Sequence, residues 1–273
     1  MADGWRRRCT VRSGDRAATM TARPLDGRRA IITGGAKSLG LNFARGLAAA
    51  GARIAMGDIV DGAAAAAEIA GETSTDCFYR HLDVSDDASA KSMCDAVTNR
   101  WGGIDILVNN AAIFATARLG PFEDGTAAEW NRLFAVNVTG SFLMAKYSAP
   151  AMTDGGFGRI INIGSGTAYK GMPNMTAYVA SKAAILGLTR SMARELGDRG
   201  ITVNTLALGL IESDSIKDNE THMAYTDRVV ASRSIRRTGH QDDPIGALLF
   251  LASDASSFMT GQTLMVDGGS VNL

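Results

Sequence analysis

Short apolar runs alternate with longer helix-like stretches from residue 29 to the end of the chain. Seven runs have strand length and are rich in β-branched or apolar residues: RRAIIT, ARIAMGD, CFYRHLDV, GIDILVNN, GRIINIGS, GITVNTLAL and TLMVDGG. Helical spacing or alanine enrichment predicts helices over 38–50, 61–70, 86–101, 126–150, 176–198, 213–233 and 243–253. Strands alternating with helices predict an α/β fold: a Rossmann-type, doubly wound parallel sheet of about seven strands, in a single domain over 25–273.

The first 24 residues lack this periodicity. Residues 1–29 hold eight arginines against three aspartates, a formal charge of +5. A secretory signal needs an apolar stretch after the arginines at 6–8, but Arg12, Asp15 and Arg16 interrupt that region. We therefore expect residues 1–24 to form a disordered basic tail, or Met20 to be the effective first residue.

The overall composition narrows the class of protein. Apolar residues make up 46% and charged residues 21%, as in ordinary globular proteins. No apolar run approaches the roughly 18 residues of a membrane span, and 28 basic against 28 acidic residues give no general attraction to nucleic acid. Three cysteines without metal-ligand spacing predict a reduced, cytoplasmic protein with no metal site.

A glycine-containing turn joins the first predicted strand to the first predicted helix. Glycines there allow the backbone to approach a pyrophosphate, and the helix amino terminus offers it free N–H groups. A simple turn is the alternative, but the strand–turn–helix context favours phosphate binding. The candidate contacts are Gly34, Lys37, Ser38, Leu39 and Gly40.

The ends of the next three strands carry further candidate cofactor contacts. Asp58, 18 residues after Gly40, is placed to accept hydrogen bonds from an adenosine ribose and to repel a 2′-phosphate, which predicts NAD. Asp83 and Val84 are placed to meet the adenine, although helix capping by Asp83 or Ser85 is an equal alternative. After the fourth strand, Asn110 and Ala111 allow a loop to pass close to the nicotinamide ribose.

Candidate acid–base chemistry lies on the predicted helix at 176–198. Tyr178 and Lys182 share one helix face, so the ammonium lies beside the phenol. Lowering a tyrosine pKa from about 10 to about 7 takes roughly 4 kcal/mol, and one exposed charge pair supplies about 1 kcal/mol. We expect a partly dehydrated Lys182 and a cationic nicotinamide to supply the rest; an ordinary surface pair is the alternative. Ser165 follows a strand, and Asn137 is an unfavoured amide within a helical pattern.

Taken together and in this order, these residues resemble the short-chain dehydrogenase/reductase family. The matching pieces are TGGAKSLG, Asp58, LDV, NNAA, Asn137, Ser165, Tyr178-x-x-x-Lys182, VNTLALGLIES and TGQTLMVDGG. The resemblance implies a catalytic group in which Tyr178 is the acid/base, Ser165 holds the carbonyl, Lys182 lowers the phenol pKa and binds ribose, and Asn137 holds a water. It also implies nicotinamide contacts at Gly209, Ile211 and Ser213, and a homotetramer.

Two departures from the family pattern and one basic residue affect these expectations. Ser38 stands where glycine is usual, and a positive φ there costs about 1 kcal/mol. Leu208-Gly209 replaces the usual Pro-Gly, which puts the rigidity of the loop facing the nicotinamide in question. Lys37 often accompanies NADP use, but the charge of Asp58 outweighs it and NAD remains the prediction.

The expected substrate is a small apolar or ring-bearing alcohol or carbonyl compound. Several stretches resemble pyridoxal and bacterial secondary-alcohol dehydrogenases, and the predicted pocket wall shows no carboxylate-binding arginine; it comprises Ile113, Phe114, Thr167, Tyr169, Met172, Leu210, Ile216, Met223 and Tyr225. One alternative is an NADPH-dependent 3-oxoacyl carrier-protein reductase, with a docking patch of Arg233, Arg236 and Arg237. A non-catalytic nucleotide-sensing module is the other.

Overall fold

Seven parallel strands form one sheet in the order β3-β2-β1-β4-β5-β6-β7. The computed structural model describes residues 23–114, 117–153, 156–212, 226 and 229–271. The strands are β1 (Arg29–Thr33), β2 (Arg53–Asp58), β3 (Cys77–His81), β4 (Ile106–Asn109), β5 (Gly158–Ser165), β6 (Ile201–Leu208) and β7 (Thr263–Val266). The predicted Rossmann-type, doubly wound sheet is thereby confirmed.

Helices cover both faces of this sheet. They are α1 (Ser38–Ala49), α2 (Ala63–Thr73), α3 (Asp87–Trp101), α4 (Ala127–Phe134), α5 (Gly140–Thr153), α6 (Thr167–Lys170), α7 (Thr176–Leu196) and α8 (Ile245–Ala252). Every residue of β5 and β6 is buried, as expected for central parallel strands that are covered on both sides. None of the described helices is long and apolar enough to cross a membrane.

Two apolar clusters form the core, one on each face of the sheet. On one face, Phe43 and Leu47 of α1 belong to a cluster with Leu248 and Leu251 of α8. On the other face, the cluster includes Met93 of α3 and side chains of α5 and α7. The helices are thus held by the apolar stripes from which their existence was predicted.

The region predicted as one helix over 126–150 is divided in the structure. Between α4 and α5, the segment Ala135–Thr139 winds as a π-helix, and Asn137 lies within it. Single-turn π segments inside helices occur frequently at functional sites. Hydrophobic periodicity did not reveal this division because the apolar pattern continues through it.

Two predictions, the basic tail over 1–24 and the helix over 213–233, fall mostly on residues that the structure does not describe. The predicted basic tail lies there up to residue 22, and Leu25, just after it, is fully buried and donates its N–H to Ala50 O at 2.9 Å. Most of the predicted helix over 213–233 also lies outside the described residues.

Candidate active site

A cavity of about 720 Å³ opens at the carboxyl ends of the strands, where β1 and β4 lie side by side. The chain winds outward from β1 to β3 and then returns to β4, so this is the switch point at which such sheets bind ligands. The cavity brings together the described residues predicted to bind cofactor and three of the four predicted to be catalytic. They are Gly34, Lys37, Ser38, Leu39, Gly40, Asp58, Asp83, Val84, Asn110, Ala111, Ser165, Tyr178, Lys182, Gly209 and Ile211. Ser213 lies outside the described residues.

The turn after β1 is packed so closely that its glycines have no room for a side chain. Gly34 has φ +63°, and a side chain at Gly40 would collide with the Gly34 carbonyl oxygen. Ser38 adopts φ +50°, the left-handed conformation expected when serine replaces glycine there. Lys37 is exposed and occupies the N-cap position of α1. The turn has the form of a cradle for a phosphate at a helix amino terminus.

Thr33, which the sequence analysis overlooked, joins this turn to the loop after β4. Its buried hydroxyl accepts the N–H groups of Asn110 and Ala111, both at 3.0 Å. The Asn110 amide in turn donates to the carbonyls of Thr33 and Gly34, both at 3.0 Å. Asn110 thus holds two cavity walls together, a role that its position after an apolar strand did not reveal.

Asp58 ends β2 and is 92% buried at the cavity edge. Its carboxylate accepts the N–H of Ala36 and the N–H of Val60, each at 3.1 Å. These two bonds fix the carboxylate next to the glycine turn, in agreement with the predicted placement. A negative charge held this way repels a second anion at the same place.

Two acidic residues after β3, Asp83 and Asp86, have separate roles. Asp83 lines the cavity beside Val84, and its carboxylate accepts the Ser85 N–H at 2.9 Å and the Ser85 hydroxyl at 2.6 Å. The cap of α3 is Asp86, which accepts the Ser89 N–H at 2.6 Å. The alternative that Asp83 or Ser85 caps this helix is therefore wrong.

Ser165, Tyr178 and Lys182 lie on one wall of the cavity. Ser165 ends β5, and its hydroxyl oxygen accepts hydrogen bonds from the Thr167 N–H at 3.3 Å and the Thr167 hydroxyl at 2.9 Å. Tyr178 hydrogen-bonds with Ser165, and its ring lies 5.0 Å from that of Phe114. Lys182 donates to Ile163 O at 2.8 Å, and its Nζ lies 5.8 Å from the Tyr178 ring centroid.

Burial dominates the acid–base properties of this wall. It raises the pKa of Tyr178 to about 12, although the Ser165 hydrogen bond opposes the shift. It also lowers the pKa of Lys182 to about 8. The protein's own groups therefore do not move the phenol pKa toward 7, because the loss of solvation outweighs the Ser165 hydrogen bond. The expected lowering by a cationic nicotinamide stays a prediction.

Asn137 lies behind this wall and does not line the cavity. Its side chain accepts the Ile113 N–H at 2.7 Å and donates to Ile113 O at 3.2 Å. It also donates to the Ser181 hydroxyl at 3.1 Å, which donates to Tyr178 O at 2.7 Å. Asn137 therefore links the loop after β4 to the helix that carries Tyr178. Its water-holding role stays a prediction.

The far end of the cavity is less uniformly apolar than predicted. Ile113, Phe114, Thr167, Met172 and Leu210 line it as expected. The remaining predicted wall residues, Ile216, Met223 and Tyr225, lie outside the described residues.

Two of the predictions about this end were wrong. The Tyr169 hydroxyl donates to Thr263 Oγ1 at 2.9 Å, and Tyr169 does not line the cavity. Arg132 and Lys170 do line it, although no arginine was expected there. Arg132 makes no side-chain hydrogen bond or ion pair within the described part of the chain.

The three arginines considered as a docking patch do not form one. Arg233 is only 4% exposed. Arg237 is paired through both terminal nitrogens with Asp243, each at 2.7 Å. Of the three, Arg236 is exposed and unpaired within the described residues.

A doubly wound parallel sheet with a serine, a tyrosine and a lysine beside a glycine turn defines a class of nicotinamide-dependent oxidoreductases. The family model described as enoyl-(acyl carrier protein) reductase matches residues 34–271. The chain belongs to the short-chain dehydrogenase/reductase family, and it is an oxidoreductase.

Relatives in this family act on varied substrates. The chain is 37% identical to a 3-alpha-(or 20-beta)-hydroxysteroid dehydrogenase of Mycobacterium bovis, with 90% of each chain covered. It is 38% identical to a trans-4-hydroxycyclohexanecarboxylate dehydrogenase of Sinomonas cyclohexanicum, over 88% of this chain and 91% of the relative. A gluconate 5-dehydrogenase from Burkholderia cenocepacia, solved with NADP and tartrate, superimposes with a TM-score of 0.83 at 38% identity, covering 91% and 97%.

Proposed function

We propose that the protein transfers a hydride between NAD and a small ring-bearing secondary alcohol or its ketone. The observation that carries this proposal is the convergence of Ser165, Tyr178 and Lys182 on a cavity that also contains the glycine turn and Asp58. The tight packing of Gly40 against the Gly34 carbonyl brings the turn against the start of α1, whose free N–H groups suit the pyrophosphate of a dinucleotide. When bound, the nicotinamide supplies or accepts the hydride.

The preference for NAD rests on the fixed carboxylate of Asp58. Two backbone N–H groups hold it in place, and a 2′-phosphate beside it would meet a like charge. Lys37 is exposed, so it offers a screened and weaker attraction to a phosphate. We expect kcat/KM to favour NAD over NADP by at least about tenfold, or 1.4 kcal/mol. Equal or better efficiency with NADP contradicts the proposal.

The residues of the catalytic wall divide the proton chemistry among them. The oxygen of Ser165 accepts hydrogen bonds from Thr167, which leaves its own proton to donate to Tyr178 or to a substrate oxygen. Tyr178 takes the alcohol proton during oxidation and returns it to the carbonyl oxygen during reduction. With a pKa of about 8, Lys182 is mostly charged at pH 7 and stabilises the phenolate.

The substrate class is inferred from the side chains beyond Tyr178. Ile113, Phe114, Met172 and Leu210 present apolar surface, and burying a methylene gains about 0.8 kcal/mol. This surface favours neutral ring alcohols over polyols. The test is a comparison of kcat/KM for 1-phenylethanol-like, pyridoxine-like, polyol and ring hydroxy-acid substrates with NAD. A clear preference for the polyol contradicts this assignment.

Arg132 and Lys170 favour a second candidate, a ring alcohol that carries a carboxylate. Both cations line the cavity, and Lys170 is held by the Ser270 hydroxyl at 2.7 Å. An arginine without a protein partner is suited to bind a carboxylate through two parallel hydrogen bonds. A preference for the hydroxy acid in the same comparison selects this candidate.

The carrier-protein alternative has less support. Arg233 is buried and Arg237 is neutralised by Asp243, so the expected basic docking patch is reduced to Arg236. A non-catalytic module is disfavoured because the catalytic side chains are present and close together. Turnover of free ketones with NADH excludes the non-catalytic module. If acyl carrier protein does not affect this turnover, the carrier-protein reductase is excluded as well.

We also propose a homotetramer in the cytoplasm. The exposed side chains of Trp130 on α4, Phe142 on α5 and Phe258 before β7 are apolar surface of the kind that subunit contacts cover. Cys77 and Cys94 are free thiols, as expected in a reducing compartment. Light scattering coupled to gel filtration tests the assembly; a monomer of 28.6 kDa contradicts it.

A further inference from the structure

The loop after β6 forms part of the cavity wall without a proline to fix its backbone. Gly209, Leu210 and Ile211 all line the cavity. Its backbone is tied by hydrogen bonds from Gly209 N to Val266 O at 3.0 Å and from Gly239 N to Leu210 O at 3.3 Å. The Glu212 N–H donates back to Gly239 O at 2.8 Å, so the bond to the Leu210 carbonyl is the longest of the three.

The side chain of Arg233 adds a second and shorter hydrogen bond to the Leu210 carbonyl. It is 4% exposed, and it donates from Nη2 to Leu210 O and from Nη1 to Arg237 O, each at 2.7 Å. The same Nη2 lies 3.0 Å from the position that a side chain on Gly209 would occupy. One planar guanidinium thus joins the loop after β6 to the segment that contains Arg237.

A third segment, at the end of β7, packs against the same group. The Arg233 Cδ lies 3.3 Å from the position of a side chain on Gly268, and the carboxylate of Asp267 attracts the guanidinium. Asp267 itself accepts the N–H groups of Gly269 at 2.9 Å and Val271 at 2.9 Å, so it is a fixed anchor. Arg233 therefore packs against the end of β7 and hydrogen-bonds to both Arg237 O and the loop after β6.

The burial of this arginine indicates that its position is specific. Burial lowers the pKa of Arg233, and its Nε has no hydrogen-bond partner among the described residues. An arginine whose only role is packing does not need a charge, because an apolar side chain of similar volume avoids this cost. What the charge provides is two strong, directional hydrogen bonds to carbonyl oxygens, one of which is on the cavity loop.

We propose that Arg233 is a positioning residue that sets the Gly209–Ile211 backbone against the nicotinamide half of the cofactor. This inference rests on the proposed function. The adenosine half is expected at Asp58 and Asp83, at the ends of β2 and β3 on the opposite side of the switch point. Loss of the two Arg233 hydrogen bonds is therefore expected to weaken contacts with the nicotinamide half of the cofactor. Contacts with the adenosine half should be unchanged.

The test compares the wild type with Arg233→Met and Arg233→Lys. Isothermal titration gives the Kd for NAD and for ADP, which lacks the nicotinamide riboside. We expect Arg233→Met to raise the NAD Kd about tenfold and to change the ADP Kd by less than about twofold. We expect Arg233→Lys to be intermediate, because lysine keeps the charge but not the planar fork. Arg236→Met, an exposed neighbour, is the matched control and should change neither value.

The outcomes separate this inference from the proposed function. If the wild type binds NAD but Arg233→Met weakens NAD and ADP equally, or changes neither, Arg233 is not a positioning residue for the nicotinamide half. If the wild type binds no NAD, the proposed function fails first. If Arg233→Met does not yield folded protein, the Arg233→Lys comparison decides, because ADP binding reports an intact adenosine half.

Discussion

Replacing Lys182 by methionine should make the protein more stable at neutral pH while abolishing turnover. The ordinary pKa of this side chain is 10.5, and burial lowers it to about 8 in the folded protein. Below pH 8, the folded state carries a buried charge that the unfolded chain keeps in water. The difference corresponds to a cost of about 3 kcal/mol.

The sign of the pH dependence follows from proton binding. Between pH 8 and 10.5, the unfolded chain binds more protons at this residue than the folded chain does. The cost is therefore fully present below pH 8 and disappears as the pH rises through this window. Lys182→Met also loses the hydrogen bond to Ile163 O, which opposes the gain by about 1 kcal/mol. The expected net gain is about 2 kcal/mol at pH 7.

Calorimetric melting at pH 6.5, 7.5 and 9.5 measures this effect. For a chain of this size, about 2 kcal/mol corresponds to a rise in Tm of roughly 4–8 °C. The advantage should shrink at pH 9.5, when Lys182 is neutral in the wild type as well. Lys91→Met is the control, because Lys91 forms an exposed pair with Asp95 and should change Tm little at any pH. A Lys182→Met protein that is less stable at pH 6.5, or equally shifted at all three pH values, refutes the reasoning.

Four further changes test the site. Tyr178→Phe should lower kcat by at least about 10²-fold and leave the NAD Kd within severalfold, since the phenol acts on the substrate oxygen; a variant with most of its rate would exclude this role. Asp58→Ala should narrow the NAD over NADP ratio of kcat/KM about tenfold, and an unchanged ratio shows that this carboxylate does not discriminate. Gly40→Ala should abolish NAD binding measured by titration, because the added carbon collides with Gly34; normal affinity contradicts the predicted cradle. Arg132→Ala should lower kcat/KM for a ring hydroxy acid about tenfold relative to the neutral alcohol, and an unchanged ratio rules out the second substrate candidate.

The sheet was readily predicted because each strand can be recognised from its own short stretch of sequence. Each central strand is a short apolar run, and burial on both faces makes that run continuous. The catalytic group was also accessible, since Tyr178 and Lys182 are close in sequence and a helix necessarily brings them to one face. What periodicity could not give was the π-helix at Asn137, because apolar residues continue through Ala135–Thr139 without a turn signal.

Thr33 and Arg233 could not be assigned roles from the sequence because their hydrogen-bond partners are distant along the chain. Thr33 bonds to residues 110 and 111, and Arg233 to residue 210. Arg132 was overlooked because spacing within its helix does not show that its side chain reaches the cavity. The raised pKa of Tyr178 in the protein without cofactor could not be predicted, because burial depends on tertiary packing that spacing alone does not report.

The Thr33 hydroxyl has a consequence for building hybrid enzymes from this family. It is the shared acceptor for two N–H groups that follow β4, while Thr33 itself ends β1. The residues up to the end of β3 contain the glycine turn and Asp58, but they cannot be exchanged between relatives independently of the loop after β4. A chimera that joins this stretch to the remainder of a relative must keep a hydroxyl at position 33, because the backbone N–H groups of residues 110 and 111 donate to it. If Thr33→Val is introduced alone, two N–H groups lose their acceptor at the seam between the two halves, and each such loss costs about 1–3 kcal/mol when the group is buried.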